Sequence, residues 1–235
     1  MANWKLPRVF GDYVRQVLTL GLTSAAIFIA ASAARADVIY SNGTPDTTSG
    51  GNEATYWLQT ENFELTSSST INGAGVYIAG YDGIGPWEGV VDYSIFADNS
   101  GVPGTQLASG QGQNLMVTDT GNIWCCGGDS YLLQFSFQND FDAAANTQYW
   151  FGIHLATDYN DIDGIFWVAS GAPAVVDLDG YESEQGTLDN WFDNGVTHAF
   201  YLTDTNTVPE PLTLAVFGVG LAGAAAIRRR KSRAP

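Results

Sequence analysis

Residues 37–208 contain no lysine and no arginine. All nine cationic residues lie in 1–36 or 228–233, whereas 23 of the 25 aspartates and glutamates fall inside that stretch. The formal charge of the whole chain, −16, therefore understates an acidic body whose compensating charges sit at the two ends. The absence excludes a good deal. Nothing in the body can grip a phosphate, so a nucleotide cofactor or a nucleic-acid partner is not expected. Anionic membrane surfaces are repelled in the same way. Lys and Arg salt bridges are missing as an internal resource, which leaves apolar packing, neutral hydrogen bonds and bound cations.

Cysteine is nearly as scarce. Cys125 and Cys126 are the only two, adjacent, between Trp124 and Gly127-Gly128. Two thiols do not make a four-ligand zinc site, and the Cys-x-x-Cys redox spacing is missing. Neighbouring α-carbons lie about 3.8 Å apart, below the usual disulfide range, so an internal bond would close a strained ring. In an oxidising compartment that bond can still form and stiffen a turn. Cys125–Cys126 is thus a candidate disulfide, with reduced thiols or pairing between chains as the alternatives. Histidine occurs twice, at His154 and His198, and no Gly-x-Ser-x-Gly elbow accompanies either. Both suit packing or cross-strand hydrogen bonding better than a triad. Opposed carboxylates of a glycosidase need a set spacing that abundant acids would mimic by accident. No catalytic centre is expected, and the chain reads as not an enzyme.

Long runs with a 3.6-residue apolar period are also missing from the body. Short apolar and aromatic runs are instead separated by Gly, Asn, Asp, Ser and Thr, the turn formers. Extended segments are expected at 38–40, 54–65, 71–79, 90–97, 105–110, 114–118, 130–138, 148–157, 165–169 and 196–201. The period breaks at 60–62, where a bulge or bend is expected. Residues 44–52, 81–89 and 98–104 read as loops, and 139–146 as a loop or one helical turn. The fold class is all-β, a β-sandwich or jelly-roll-like body.

The two ends read as targeting segments. Lys5, Arg8 and Arg15 form a basic n-region, 17–31 is mostly apolar, and Ala34-Arg35-Ala36 suits an Ala-x-Ala cleavage site. Residues 1–36 are therefore assigned to a signal peptide and 37–203 to the acidic extracytoplasmic domain. Residues 204–233 form a linker and tail: Val208-Pro209-Glu210-Pro211, sixteen uncharged residues at 212–227, then Arg228-Arg229-Arg230-Lys231. As a helix that run would span roughly 24 Å, a short transmembrane helix with its basic end cytoplasmic and the body outside.

The tripeptide Pro209-Glu210-Pro211, the Gly/Ala/Leu-rich run and the cluster Arg228, Arg229 and Arg230 resemble the PEP-CTERM sorting domain, over roughly residues 207–233. The resemblance implies export across the inner membrane of a Gram-negative bacterium and an inner-membrane-anchored precursor. It implies processing near Pro209-Glu210-Pro211 by a membrane exosortase, and release to the cell surface or extracellular matrix. It also implies association with exopolysaccharide or biofilm. A looser similarity runs from Phe63-Glu64-Leu65 through Asp92 to Asp98 and Gly101 to Thr105 to Tyr149-Trp150-Phe151-Gly152-Ile153-His154. It resembles extracellular β-sandwich bodies of bacterial surface proteins and implies a fold rather than a substrate.

Two features of the body offer ligand chemistry. Asp158, Asn160, Asp161 and Asp163 place hard oxygen ligands in one short loop, with Ile162 where an EF-hand would have Asp or Asn. Asp177, Asp179, Glu182 and Glu184 form a second acidic cluster, and Asp98 with Asn99 a third. Each is either a solvated turn or a calcium site, and calcium is the one cofactor candidate. Six tryptophans lie in the body; Trp87, Trp124 and Trp191 have polar or Gly-rich surroundings and are candidate glycan contacts, with core packing as the alternative. The expected function is a non-enzymatic surface or matrix protein, and the alternative is a carbohydrate-binding module using aromatics and acidic loops.

Overall fold

The computed structural model describes residues 36–160, 162–171, 180–188 and 190–204. The secondary structure there is all β. In chain order the strands are β1 (Asp37–Ser41), β2 (Gly51–Glu53), β3 (Trp57–Glu64), β4 (Ser69–Gly80), β5 (Asp92–Asp98), β6 (Pro103–Gln111) and β7 (Gln113–Ile123), followed by β8 (Asp129–Ala143), β9 (Gln148–His154), β10 (Ile165–Val168), β11 (Tyr181–Glu184), β12 (Phe192–Asp193) and β13 (Phe200–Asp204).

Two antiparallel sheets result. In the first, the long strand β4 is the axis. Along one edge it pairs with β8, which pairs in turn with β7. Along its other edge β13 and β10 lie end to end, β13 opposite residues 73–76 and β10 opposite 78–80, with β1 and β2 outside them. The second sheet has the order β12-β11-β3-β9-β5-β6.

The inner faces meet in one aromatic core. On β9, Tyr149, Phe151 and Ile153 point into it, facing Val76, Ile78, Leu133, Phe135, Phe137, Phe200 and Trp167 from the other sheet. Phe151 is its hub: fully buried, stacked on Phe200 (5.4 Å) and Phe137 (6.1 Å), and edge-on to Trp167 (5.9 Å). Each buried large side chain of this kind contributes about 1.5–3 kcal/mol, and aromatic pairing adds about 0.5–1.5 kcal/mol. Such packing does the work that ion pairs cannot do here.

The outer faces carry satellite clusters. On the second sheet Leu58, Phe96 and Trp150 are covered by Tyr159, Tyr181 and Trp191. On the first, Ala79, Trp124 and Val168 pack with Tyr77 and Phe166. β9 is thereby buried on both faces, which is why its apolar residues occupy both parities.

One glycine turns the chain between the sheets. Gly112 joins β6 of the second sheet to β7 of the first. A Cβ there would lie 2.5 Å from Val91 Cγ1 and 2.8 Å from Phe135 Cδ2, so the corner has room only for hydrogen.

The structure corrects several boundaries. Residues 139–143 are not a loop or helical turn but the continuation of the 15-residue β8, with Thr70 Oγ1 donating to Asp142 (2.7 Å) across to β4. No bulge interrupts β3 at 60–62; its register with β9 is continuous from Gln59 to Glu64. The period breaks there because Gln59, Thr60, Glu61 and Asn62 are all buried. They are hydrogen-bonded rather than solvated. Gln59 Nε2 donates to the Glu53 carbonyl (2.7 Å) and to Glu182 (2.9 Å), and Thr60 Oγ1 to the Tyr181 carbonyl (2.9 Å). Glu61 accepts the His198 backbone N–H at 2.6 Å. The last strand lies at Phe200–Asp204 rather than at 196–201, and the acidic stretch from Tyr181 to Glu184 is a strand against β3.

Candidate functional site

A groove of about 620 Å³ opens on the outer side of the second sheet, between the β5–β6 hairpin and the segment joining β11 to β12. The first wall is shaped by a two-residue turn. Ser100 and Gly101 both have positive φ (59° and 87°), and Asn99 N–H donates to the Val102 carbonyl at 2.9 Å. That is the type I′ geometry matched to strand twist. Asp98 locks the turn from below, accepting the Gly101 N–H (3.1 Å), Gln148 Nε2 (3.1 Å) and Trp150 Nε1 (3.0 Å). The second wall follows a like turn at Gln185-Gly186, φ 51° and 60°. Ser183 Oγ accepts the Leu188 N–H (3.2 Å) and helps hold Leu188 at φ 61°, where a branched side chain is strained.

Trp191 closes the groove. Its ring packs edge-on against Phe96, with centroids 5.2 Å apart, and its indole N–H is buried with no hydrogen-bond partner. An unpaired buried donor is an uncompensated cost to the fold. The described lining residues are all uncharged.

The three candidate tryptophans do not form one surface. Trp87 is half-buried against the main core, donating Nε1–H to the Val90 carbonyl (2.9 Å). Trp124 is 2 % exposed, on the outer face of the opposite sheet, and donates to the Gly50 carbonyl (3.2 Å). Its ring offers no face to a sugar, contrary to the exposure expected from its glycine neighbours; those glycines serve the turn it anchors. Trp124 N–H donates to the Gly128 carbonyl (2.8 Å), and a Cβ on Gly128 would lie 1.8 Å from the Gly80 oxygen.

Cys125 and Cys126 occupy the tip of that turn as exposed free thiols. Burial of the group and the Cys126 thiol beside it push the Cys125 thiol up to about 11, so it stays protonated at neutral pH.

In the acidic loop, Asp158 accepts the Asn160 N–H (2.9 Å), which holds its carboxyl below the usual range. Asp163 donates its backbone N–H to Thr55 Oγ1 (2.9 Å), and Asp161 lies outside the described residues, as do Asp177 and Asp179. Among the described residues no three His, Cys, Asp or Glu side chains converge as metal ligands would.

The histidines are embedded. His154 stacks on Tyr159 (3.7 Å) with Nε2 at 2.6 Å from the Thr55 carbonyl. His198 stacks on Trp167 (4.5 Å), with Nδ1 3.3 Å from Glu61. Burial drives the His198 imidazole well below its ordinary range, with Glu182 pulling weakly the other way. Thr105 and Asn190 carry no signal of their own in the sequence; Asn99 stands beside Asp98 in an acidic cluster, and Asn190 precedes the candidate Trp191.

The described chain ends at Asp204, where β13 pairs with Asp37 of β1. Three residues later a different kind of signal begins. Residues 207–231 match the PEP-CTERM protein-sorting motif. This chain therefore carries a PEP-CTERM tail behind an all-β body of two packed sheets. The PEP-CTERM motif implies recognition by an exosortase-type enzyme. Pro209, Glu210, Pro211, Arg228, Arg229 and Arg230 fall within the match and outside the described residues. The expected transmembrane helix and all but the last residue of the expected signal peptide also lie outside the described residues. No curated protein matches the chain.

Proposed function

We propose that this chain is an exported, non-enzymatic surface or matrix protein of a Gram-negative bacterium. It is held at the inner membrane by its tail until an exosortase processes it, and it then associates with exopolysaccharide or biofilm. The observation that carries the reading is the PEP-CTERM match at residues 207–231 on a body that is acidic and all β. The chemistry is consistent from end to end. A basic leader and a basic tail flank a body with no cation of its own, so the positive charges lie where cytoplasmic retention is needed. After processing, the product would lose both ends and stay soluble through its acids. A carbohydrate-binding role, with calcium as an aid at Asp158, Asn160, Asp161 and Asp163, is the second reading; the groove beside Trp191, where an indole ring meets the amides of Asn99 and Asn190, favours its glycan half.

The test is fractionation and mass measurement of the full chain expressed in cells with and without an exosortase. The expected product with the enzyme is extracytoplasmic, lacks residues 1–36 and is truncated near Pro209. A chain that stays cytoplasmic with both ends intact in either background overturns the proposal.

A further inference from the structure

We propose that Cys125 and Cys126 close a disulfide with each other once the chain has left the cytoplasm. The inference rests on the export reading above only for the oxidising compartment in which the bond forms; the pairing itself is argued from the turn.

The turn is the first point. Trp124 N–H donates to the Gly128 carbonyl (2.8 Å) and Gly127 N–H to the Trp124 carbonyl (3.2 Å), so Cys125 and Cys126 are the two central residues of a closed turn between β7 and β8. Both of its ends are anchored. Trp124 is buried and donates Nε1–H to the Gly50 carbonyl (3.2 Å), and Gly128 lies so close to the Gly80 oxygen that no Cβ would fit. The turn holds the two side chains together. The Cys126 thiol stands within hydrogen-bond reach of the Cys125 thiol, and both residues are exposed to an incoming oxidant. A partner already in contact needs no encounter step.

Charge is the second point, because it decides between the internal bond and pairing between chains. Asp119 and Asp129 lie on the two strands that flank the turn, and Asp46 is near enough to act on the Cys125 thiol. A second copy would bring the same three carboxylates, and a body without lysine or arginine has nothing to offset them. Two such turns repel each other, whereas the two thiols of one turn are neighbours already.

The consequence is the third point. Adjacent α-carbons lie about 3.8 Å apart, below the usual disulfide range, so the ring is strained and the bond is readily reduced. It joins neighbouring residues and removes almost no chain entropy, so it is not a staple of the fold. Its effect is chemical. It caps two exposed thiols that would otherwise cross-link copies or oxidise further.

The reaction is thiol–disulfide exchange with a small disulfide as oxidant. One thiolate of the pair attacks a sulfur of the oxidant, forms a mixed disulfide and expels one thiolate. The other thiol loses its proton to water, attacks the bonded sulfur of its neighbour and expels the second. Two protein S–H bonds and the oxidant's S–S bond give one protein S–S bond and two thiols, so the oxidant gains the two electrons that the cysteines lose.

The experiment takes the purified full chain in detergent, reduces it, removes the reductant and equilibrates it with oxidised glutathione. The sample is quenched in acid, denatured and treated with N-ethylmaleimide. Cleavage after aspartate then releases residues 120–129, which hold both cysteines. That peptide is expected to be lighter than its reduced form by two hydrogen atoms and to carry neither maleimide nor glutathione, with the chain monomeric on a non-reducing gel. Cys126→Ser is expected to leave Cys125 as a glutathione adduct or in a cross-linked dimer, because a single exposed thiol has no neighbour to resolve it. Two maleimides on the wild-type peptide, retained glutathione or a link to a second chain overturns the proposal. So does a Cys126→Ser thiol that glutathione never reaches. The purified chain tests the pairing whether or not cells export it, and the export reading stands or falls separately, on fractionation.

Discussion

Salt should stabilise this protein, and the effect should be large. The body is compact and carries 23 acids against no lysine or arginine. A folded domain of its length has a radius of roughly 20 Å and its unfolded chain roughly 55 Å. Spreading the charge over spheres of those sizes in water gives a folded-state self-repulsion of roughly 33 kcal/mol at 0.01 M salt and 16 kcal/mol at 0.15 M. The unfolded chain gives roughly 7 and 2.5 kcal/mol under the same conditions. Raising the salt therefore relieves folding by on the order of 10 kcal/mol in this limit. A quarter of the limit still raises Tm by about 5–10 °C. The assay is thermal unfolding followed by circular dichroism at 0.01, 0.15 and 0.5 M sodium chloride, pH 7.5. A Tm that falls with salt, or moves by less than about 2 °C, refutes the reasoning. Calcium at matched ionic strength extends the test: a Tm equal to that in sodium chloride means screening alone, and a further rise abolished by Asp158→Asn means a site.

Phe151→Ala removes the hub of the aromatic core and should cost about 3–5 kcal/mol, or roughly 8–15 °C in Tm. The exposed Phe192→Ala should stay within about 0.5 kcal/mol, and equal losses in the two would show that the core is not where the rings place it. His198 is buried neutral, so its folded pKa lies below its unfolded value of about 6.5. The unfolded state then takes the proton first, and the stabilisation is complete above about pH 6.5 and lost as pH falls. Urea unfolding between pH 7.5 and 5 should show a steeper loss for wild type than for His198→Asn; identical slopes would remove His198 from the account.

The fold class was legible because turn chemistry and short apolar runs are local. What was misplaced was non-local. Asn139 and Asp140 look like loop formers, but β8 carries on to Ala143 because β4 on its flank is long enough to pair with it. The polar run from Gln59 to Asn62 looks like a kink. It is a buried row because β11 pairs along the edge of β3 and supplies Glu182 and the Tyr181 carbonyl as partners. No pattern within β3 announces a strand more than 120 residues away.

The same distinction separates the two functional signals. A sorting motif is read as a contiguous stretch of chain, so Pro209 to Arg230 can be recognised without any fold. The groove is assembled from Asn99 to Thr105 on one hairpin and Leu188 to Trp191 on another, nearly ninety residues apart. Neither half is distinctive. Trp191 was singled out for its polar neighbours, yet Trp124 was singled out for the same reason and is buried. The two rings differ in what covers them. Trp124 donates to Gly50 and is enclosed by Tyr81 and Phe166, whereas Trp191 covers the cluster around Phe96 and keeps its N–H unspent. Composition around a tryptophan describes its loop; only the partner of its N–H tells whether the ring has already been used to hold the fold.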